Sequence, residues 1–242
     1  MGARQDHEEA LRGLPVDRWE GYLTEHSGLP GPRGNLELLA VVGDLAPAAQ
    51  VLAWAGSSDE YLACVGTAGL GRLVLEGDRG RVAALARAAR DERWRVREGV
   101  AMALQRIGDH DPPLLRSVTS AWADGPALVQ RAVVAGLCEP RLLRTSEATT
   151  HALTTLDAIT AGLAALAPER RRDPDVRVLR QGLGYGWSVV VAAAPRTGFA
   201  ALERWALVDD PDVRWVLREN LRKARLGRAD PARTAALAES VS

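Results

Sequence analysis

Apolar positions recur along this chain with a helical period, and the helices they define recur with a period of their own. Between Asp91 and Ile107, the residues Val96, Val100, Ala103, Leu104 and Ile107 fall on one side of a helix turning about 100° per residue. A shift of 33 residues brings Val129 onto Val96, Val133 onto Val100, Gly136 onto Ala103 and Leu137 onto Leu104. A looser copy runs from Asp59 to Leu73, and two later copies open on Asp173-Pro-Asp-Val-Arg177 and Asp210-Pro-Asp-Val-Arg214. In both, Asp is expected to cap a helix and Pro to occupy its first turn, where a missing N–H costs nothing. A further stripe follows at Leu179, Leu183, Gly186 and Val190. The pattern predicts an all-α chain in which successive helix pairs bury their apolar faces against one another.

Repeats of about 33 residues that stack helix pairs are HEAT-like, and the expected architecture is a right-handed α-solenoid, an α-α superhelix. We read residues 1–242 as a single solenoid domain. Residues 1–33 form an N-terminal helical segment ending in the Gly/Pro loop Ser27-Gly-Leu-Pro-Gly-Pro-Arg-Gly34. Residues 139–172 break the period, carry many Thr and end in Arg170-Arg-Arg172, and they are read as a longer insertion between repeats.

Composition narrows the class. Hydrophobic residues make up 47% and charged residues 26%, enough for a core and too apolar for a disordered chain. Basic and acidic residues number 31 each, so the chain is not a general polycation and any nucleic-acid contact must come from local patches. One such patch lies at residues 213–228, where six bases face a single acid, Glu219. Cys64 and Cys138 sit far apart in apolar helical segments and read as buried free thiols, which fits a reducing cytoplasm. No apolar run approaches the roughly 20 residues that cross a bilayer, and a cytoplasmic protein is expected. The histidines His7, His26, His110 and His151 have no metal-ligand spacing, and no phosphate loop or nucleophile elbow is present, so neither metal nor cofactor is expected.

Some side chains are left over once the stripe is accounted for. Trp94 and Glu98 are four apart and stack on each other opposite Val96 and Val100, with Ala101 continuing their row and Arg95 and Arg97 flanking it. Arg131 occupies the slot equivalent to Glu98 one repeat later, and Trp215 takes the same side of the last repeat with Arg218 and Arg222. Equivalent slots of a solenoid line one concave surface, which would set Glu98 and Arg131 about 10 Å apart. Two placements stay open for Trp94, the groove or a partner helix, because Trp is usually well buried. Trp187, at the edge of the Leu179–Val190 stripe, reads by itself as core.

At these residues the sequence resembles the AlkD-like family of HEAT-repeat DNA glycosylases, among the DNA alkylation repair proteins. The resemblance rests on Tyr22-Leu-Thr-Glu-His26 followed by the Gly/Pro loop and Leu36-Glu-Leu-Leu39, on Trp94-Arg-Val-Arg-Glu98, on Leu128-Val-Gln-Arg-Ala132, and on Gly186-Trp187. It implies duplex DNA in the concave groove and hydrolysis of the N-glycosidic bond of cationic N3- or N7-alkylated purines. In this reading Glu98 is the catalytic carboxylate that stabilises positive charge on the deoxyribose, and Trp94 and Trp187 hold the nucleotide. Arg131 binds a phosphate, and Arg95, Arg97, Trp215, Arg218 and Arg222 line the DNA path. The better-known members carry Asp where this chain has Glu98, and a displacement of about 1 Å in a catalytic group can cost roughly 100-fold in rate. Two other readings of the same groove remain: a non-catalytic binder of damaged or branched DNA, and a scaffold holding a protein partner, the commonest use of solenoids. A monomer is expected in each case.

Overall fold

The computed structural model describes residues 2–31 and 34–241, and every regular element within them is a helix. Pro32 and Arg33, in the Gly/Pro loop predicted at residues 27–34, lie outside the described residues. The chain divides into two compact units, Met1–His110 and Asp111–Ser242.

The first unit runs through α1 (Ala3–Gly13), α2 (Trp19–His26), α3 (Leu36–Leu45), α4 (Ala48–Ala55), α5 (Glu60–Leu75), α6 (Arg81–Ala88) and α7 (Trp94–His110). Helix α5 is its centre. It packs against α3, α4, α6 and α7, most extensively against α7 and α4. Every residue from Tyr61 to Gly71 is buried, as befits a helix that is apolar all round. Glycine inside a helix costs about 1 kcal/mol relative to Ala, yet α5 carries several. Gly66 explains why: a Cβ there would lie 2.1 Å from the backbone N of Ala55, so α4 and α5 meet main chain to main chain. Gly99 does the same from α7, where a Cβ would come within 2.7 Å of the Cys64 carbonyl oxygen. Asp59 caps α5 by accepting from the Leu62 N–H at 2.8 Å.

The second unit contains α8 (Pro112–Trp122), α9 (Ala127–Leu137), α10 (Ser146–Ala164), α11 (Pro174–Ala193), α12 (Pro195–Ala206), α13 (Pro211–Leu221), α14 (Ala224–Ala229) and α15 (Pro231–Ser240). Here α11 plays the part of α5, packed against α9, α10, α12 and α13. The expected stripes are buried in full: Val96, Val100, Ala103, Leu104 and Ile107 on α7, Val129, Val133, Gly136 and Leu137 on α9, and Leu179, Leu183, Gly186 and Val190 on α11.

The two Asp-Pro openings behave differently. Asp210 caps α13, accepting from the N–H groups of Asp212 and Val213 at 3.0 Å each. Asp173 makes no cap hydrogen bond and pairs with Arg170 at 2.9 Å instead. Asp210 and Asp212 are both buried, and Arg171 satisfies them, with Nη1 at 2.6 Å and 3.2 Å respectively. The same guanidinium donates to the Leu166 and Ala164 carbonyls, tying the end of α10 to the start of α13. Asn220, wholly buried on α13, fastens it to α11: its Nδ2 donates to the Leu183 carbonyl at 2.9 Å and its Oδ1 accepts from the Ser188 N–H at 2.7 Å. Cys64 and Cys138 are free and buried. Among the described residues, no helix is long and apolar enough to cross a membrane.

Candidate functional site

In the first unit the leftover residues of the stripe assemble at the start of α7. Of the seven tryptophans Trp94 alone is exposed, at 48%, while Trp19, Trp54, Trp122 and Trp187 are buried in the core. Its position is held firmly from below. Arg93 donates to both carboxylate oxygens of Asp91 and to the Ser57 and Ser58 carbonyls, and Arg97 donates to the carbonyls of Asp91 and Glu92 at 2.6 Å and 2.9 Å. The Arg93 guanidinium keeps the Asp91 carboxyl below the usual carboxylate range. Arg97 therefore clamps the turn before α7 through Nη1.

Arg95 lies over the Trp94 ring, its guanidinium carbon 4.6 Å from the centroid. It is also committed to Glu60 at 2.8 Å and to the Gly31 carbonyl at 3.3 Å. Its charge is thus largely answered within the protein. Glu98 is half-buried one turn after Trp94 and acts on α5: burial and the Glu98 charge together push the Cys64 thiol up to about 12. Ala101, expected to continue the open row, is buried, so the accessible part of this face ends at Glu98.

In the second unit the surface is built on α11. Gly182 and Gly184 form two shallow seats. The stem of Arg131, from α9, rests on the first: a Cβ at residue 182 would lie 3.4 Å from Arg131 Cγ. The ring of Trp215, from α13, rests on the second, where a Cβ would come within 2.9 Å of it. Trp187 lies where its own place in the stripe put it and departs from the role that the resemblance implies. It is 1% exposed and its Nε1 donates to Thr160 Oγ1 at 3.0 Å, so it belongs to the core and cannot hold a nucleotide. The exposed aromatic of α11 is Tyr185, two positions earlier and on the other side of the helix, at 47%.

Each aromatic of this surface carries an arginine. The Arg180 guanidinium carbon sits 4.8 Å from the Trp215 ring centre, and that of Arg225 sits 4.6 Å from Tyr185 and donates to its hydroxyl at 2.8 Å. Arg180 is also paired with Asp212. Arg218 follows Trp215 by one turn and is partly exposed, and Arg222 is exposed and paired with Glu219 at 2.7 Å. Trp215, Arg218, Arg222 and Arg131 thus belong to one unit, as do Trp94, Arg95 and Glu98 to the other.

Sequence reasoning missed Tyr185, Arg180 and Arg225. Tyr185 was accessible to it, because Arg177, Gln181 and Tyr185 form an i, i+4, i+8 row opposite the buried stripe. It also missed that His7 and His26 meet. Their rings stand 5.9 Å apart, with Tyr22 stacked on His26 at 4.1 Å and its hydroxyl 2.8 Å from His7 Nδ1. Among the described residues no group of three or more His, Cys, Asp and Glu side chains is placed to hold a metal. No family model, curated protein or solved structure matches the chain.

Proposed function

We propose that the chain is a right-handed α-solenoid of HEAT-like repeats that binds duplex DNA, and that its activity is excision of cationic N3- or N7-alkylated purines. Helices that pack mainly on neighbours near in sequence, with α5 and α11 in equivalent central places, support the solenoid reading. One observation carries the binding: the second unit bears two aromatic rings, Tyr185 on α11 and Trp215 on α13, each under an arginine, with the Arg131 stem and the Trp215 ring both seated on glycines of α11. Stacked guanidinium groups keep N–H donors free at their edges for phosphate, and the aromatic faces below them suit sugars and bases.

The excision step rests on Trp94 and Glu98. An alkylated purine is already a cationic leaving group, so bond cleavage builds positive charge on the sugar, which a nearby carboxylate stabilises. The exposed Trp94 face attracts the same cation. Glu98 is half-buried, one turn after the exposed Trp94 on α7. With Trp187 in the core, this chemistry depends on Trp94 and Glu98 alone.

The test is twofold. Purified protein incubated with methylated duplex DNA should release free 3-methyladenine or 7-methylguanine, and Glu98→Gln should abolish that release while leaving DNA affinity intact. Fluorescence anisotropy should show binding that falls steeply with salt and loses about one unit of log–log slope for each phosphate-binding arginine removed at Arg218 and Arg222. Binding without release would leave a DNA-binding relative. No binding at low salt, together with a protein that protects Trp94, would replace both with a scaffold.

A further inference from the structure

The first unit contains a cleft of about 400 Å³ between α4, α5, α6 and the start of α7, independent of the proposed DNA surface. Its walls are Leu52, Leu70, Val96, Ala84 and Ala88. The two alanines, one turn apart on α6, create the space, because longer side chains there would fill it. The volume is within the range of small-molecule sites, roughly 300–1,000 Å³.

Its polar lining side chains are Thr67, Arg81, Arg87 and Asp91. Thr67, wholly buried, lines the cleft, and its Oγ1 has no hydrogen-bond partner in the protein. A buried hydroxyl with no partner is uncommon, because nearly all such groups are satisfied by protein or ligand. Arg81 and Arg87, on the same helix as the alanines, and Asp91 also line it. Asp91 is fully engaged by Arg93, and Arg81 pairs with Asp78 through Nε at 2.7 Å, which leaves its terminal nitrogens for another acceptor. Arg87 is exposed. The cleft thus joins two arginines, a buried hydroxyl without a protein partner and a set of aliphatic side chains.

We infer that this cleft binds a small organic monoanion with a compact apolar body, such as an aryl or branched-chain carboxylate. Arg81 and Arg87 take the carboxylate, and Thr67 bonds another polar atom of the ligand or donates toward a π face. Apolar burial supplies affinity and the arginine pair selects charge, the usual division of labour in such pockets.

The probe is 2-naphthoate, titrated into the full-length protein and followed by fluorescence and by NMR shifts, with naphthalene-2-carboxamide as its neutral counterpart. Saturable binding at roughly 1 mM or tighter is expected for a ligand of this size. The amide should bind at least tenfold more weakly, and so should the acid to the Arg81→Gln/Arg87→Gln double variant. Ala88→Leu, which fills the cleft, should abolish binding with an unchanged circular dichroism spectrum, and Ala84→Leu serves the same purpose where Ala88→Leu fails to fold. Thr67→Val should weaken binding several-fold. Equal affinity for acid and amide, unchanged binding in a folded cleft-filled variant, or no saturation at 10-fold higher concentration would each overturn the assignment. None of these results bears on DNA binding.

Discussion

Asn220 should be among the costliest polar side chains to remove, and its loss tests how the aromatic surface is held in register. The side chain is wholly buried and makes three hydrogen bonds, to the Leu183 carbonyl at 2.9 Å, the Ser188 N–H at 2.7 Å and the Val216 carbonyl at 2.7 Å. Two of them cross from α13 to the main chain of α11, on either side of Tyr185. At about 0.5–1.5 kcal/mol for each bond, their loss sums to roughly 1.5–4.5 kcal/mol, before any cavity is counted. Asn220→Ala is therefore expected to destabilise the protein by about 2–4 kcal/mol. For a chain of this size that lowers Tm by roughly 5–15 °C. Urea denaturation read by far-ultraviolet circular dichroism measures it. Asn220→Leu separates volume from hydrogen bonding, since it restores most of the packing and none of the bonds, and it should be little better than Ala. A leucine variant as stable as the wild type would refute the argument, because it would show that Asn220 serves only to fill space.

Other consequences follow from the same coordinates. Gly66→Ala puts a methyl 2.1 Å from the Ala55 backbone N and should cost at least the 1–3 kcal/mol of an overpacked core, whereas Gly162→Ala, with nothing within 4 Å, should stabilise by about 0.5–1 kcal/mol; thermal melts of the pair decide. Arg171→Ala removes the side-chain partner of the buried Asp210 carboxylate and leaves Asp212 to Arg180 alone; it should cost about 3 kcal/mol by chemical denaturation, a loss below 1 kcal/mol counting against the network. Cys64 ionises near 9 when unfolded and near 12 when folded, so the unfolded state sheds its proton first and stability falls as pH rises between these values. The slope attributable to it, at most about 1.4 kcal/mol per pH unit, should vanish in Cys64→Ala. Glu98→Gln should bring the thiol pKa down, measured by the pH dependence of its alkylation.

The helical stripes were readable from the sequence because their signal is local: an apolar residue at each of Val96, Val100 and Leu104 needs no knowledge of what it touches. The cap at Asp210 was readable for the same reason. The same words at Asp173 gave the wrong expectation, because Arg170 lies within reach of that carboxylate and wins it from the helix N-terminus. At Trp187 the resemblance and the stripe differ in phase. The resemblance of Gly186-Trp187 drew attention to a residue whose own position in the stripe marked it as core, while Tyr185 stood on the open row. Asn220 and the Arg171 network were invisible, because their partners lie 32 to 41 residues away and a buried polar side chain has no sequence signature apart from them. The α5 glycines read only as weak helix formers; the backbone contacts that require them belong to tertiary structure.

Trp94 remains the residue whose placement most needs a cause outside the fold. Burying an aromatic side chain of this size contributes on the order of 2–3 kcal/mol, and the protein collects that contribution at Trp54 and Trp187, each with its indole N–H satisfied. At Trp94 it is largely forgone, although the preceding turn is fixed by Arg93 and Arg97 through six hydrogen bonds to the protein. A rigid, exposed tryptophan loses little conformational freedom when something docks on it, which is the physical basis of aromatic hot spots. The local charge then limits what docks. Arg95 is already paired with Glu60, so the exposed Trp94 face is suited to a positively charged or electron-poor ring. A cationic alkylated base meets that description, and so does the arginine or lysine of a protein partner. Only the alkylated base also needs the carboxylate of Glu98 as a chemical participant, so loss of purine release in Glu98→Gln, with ligand affinity retained, separates the two.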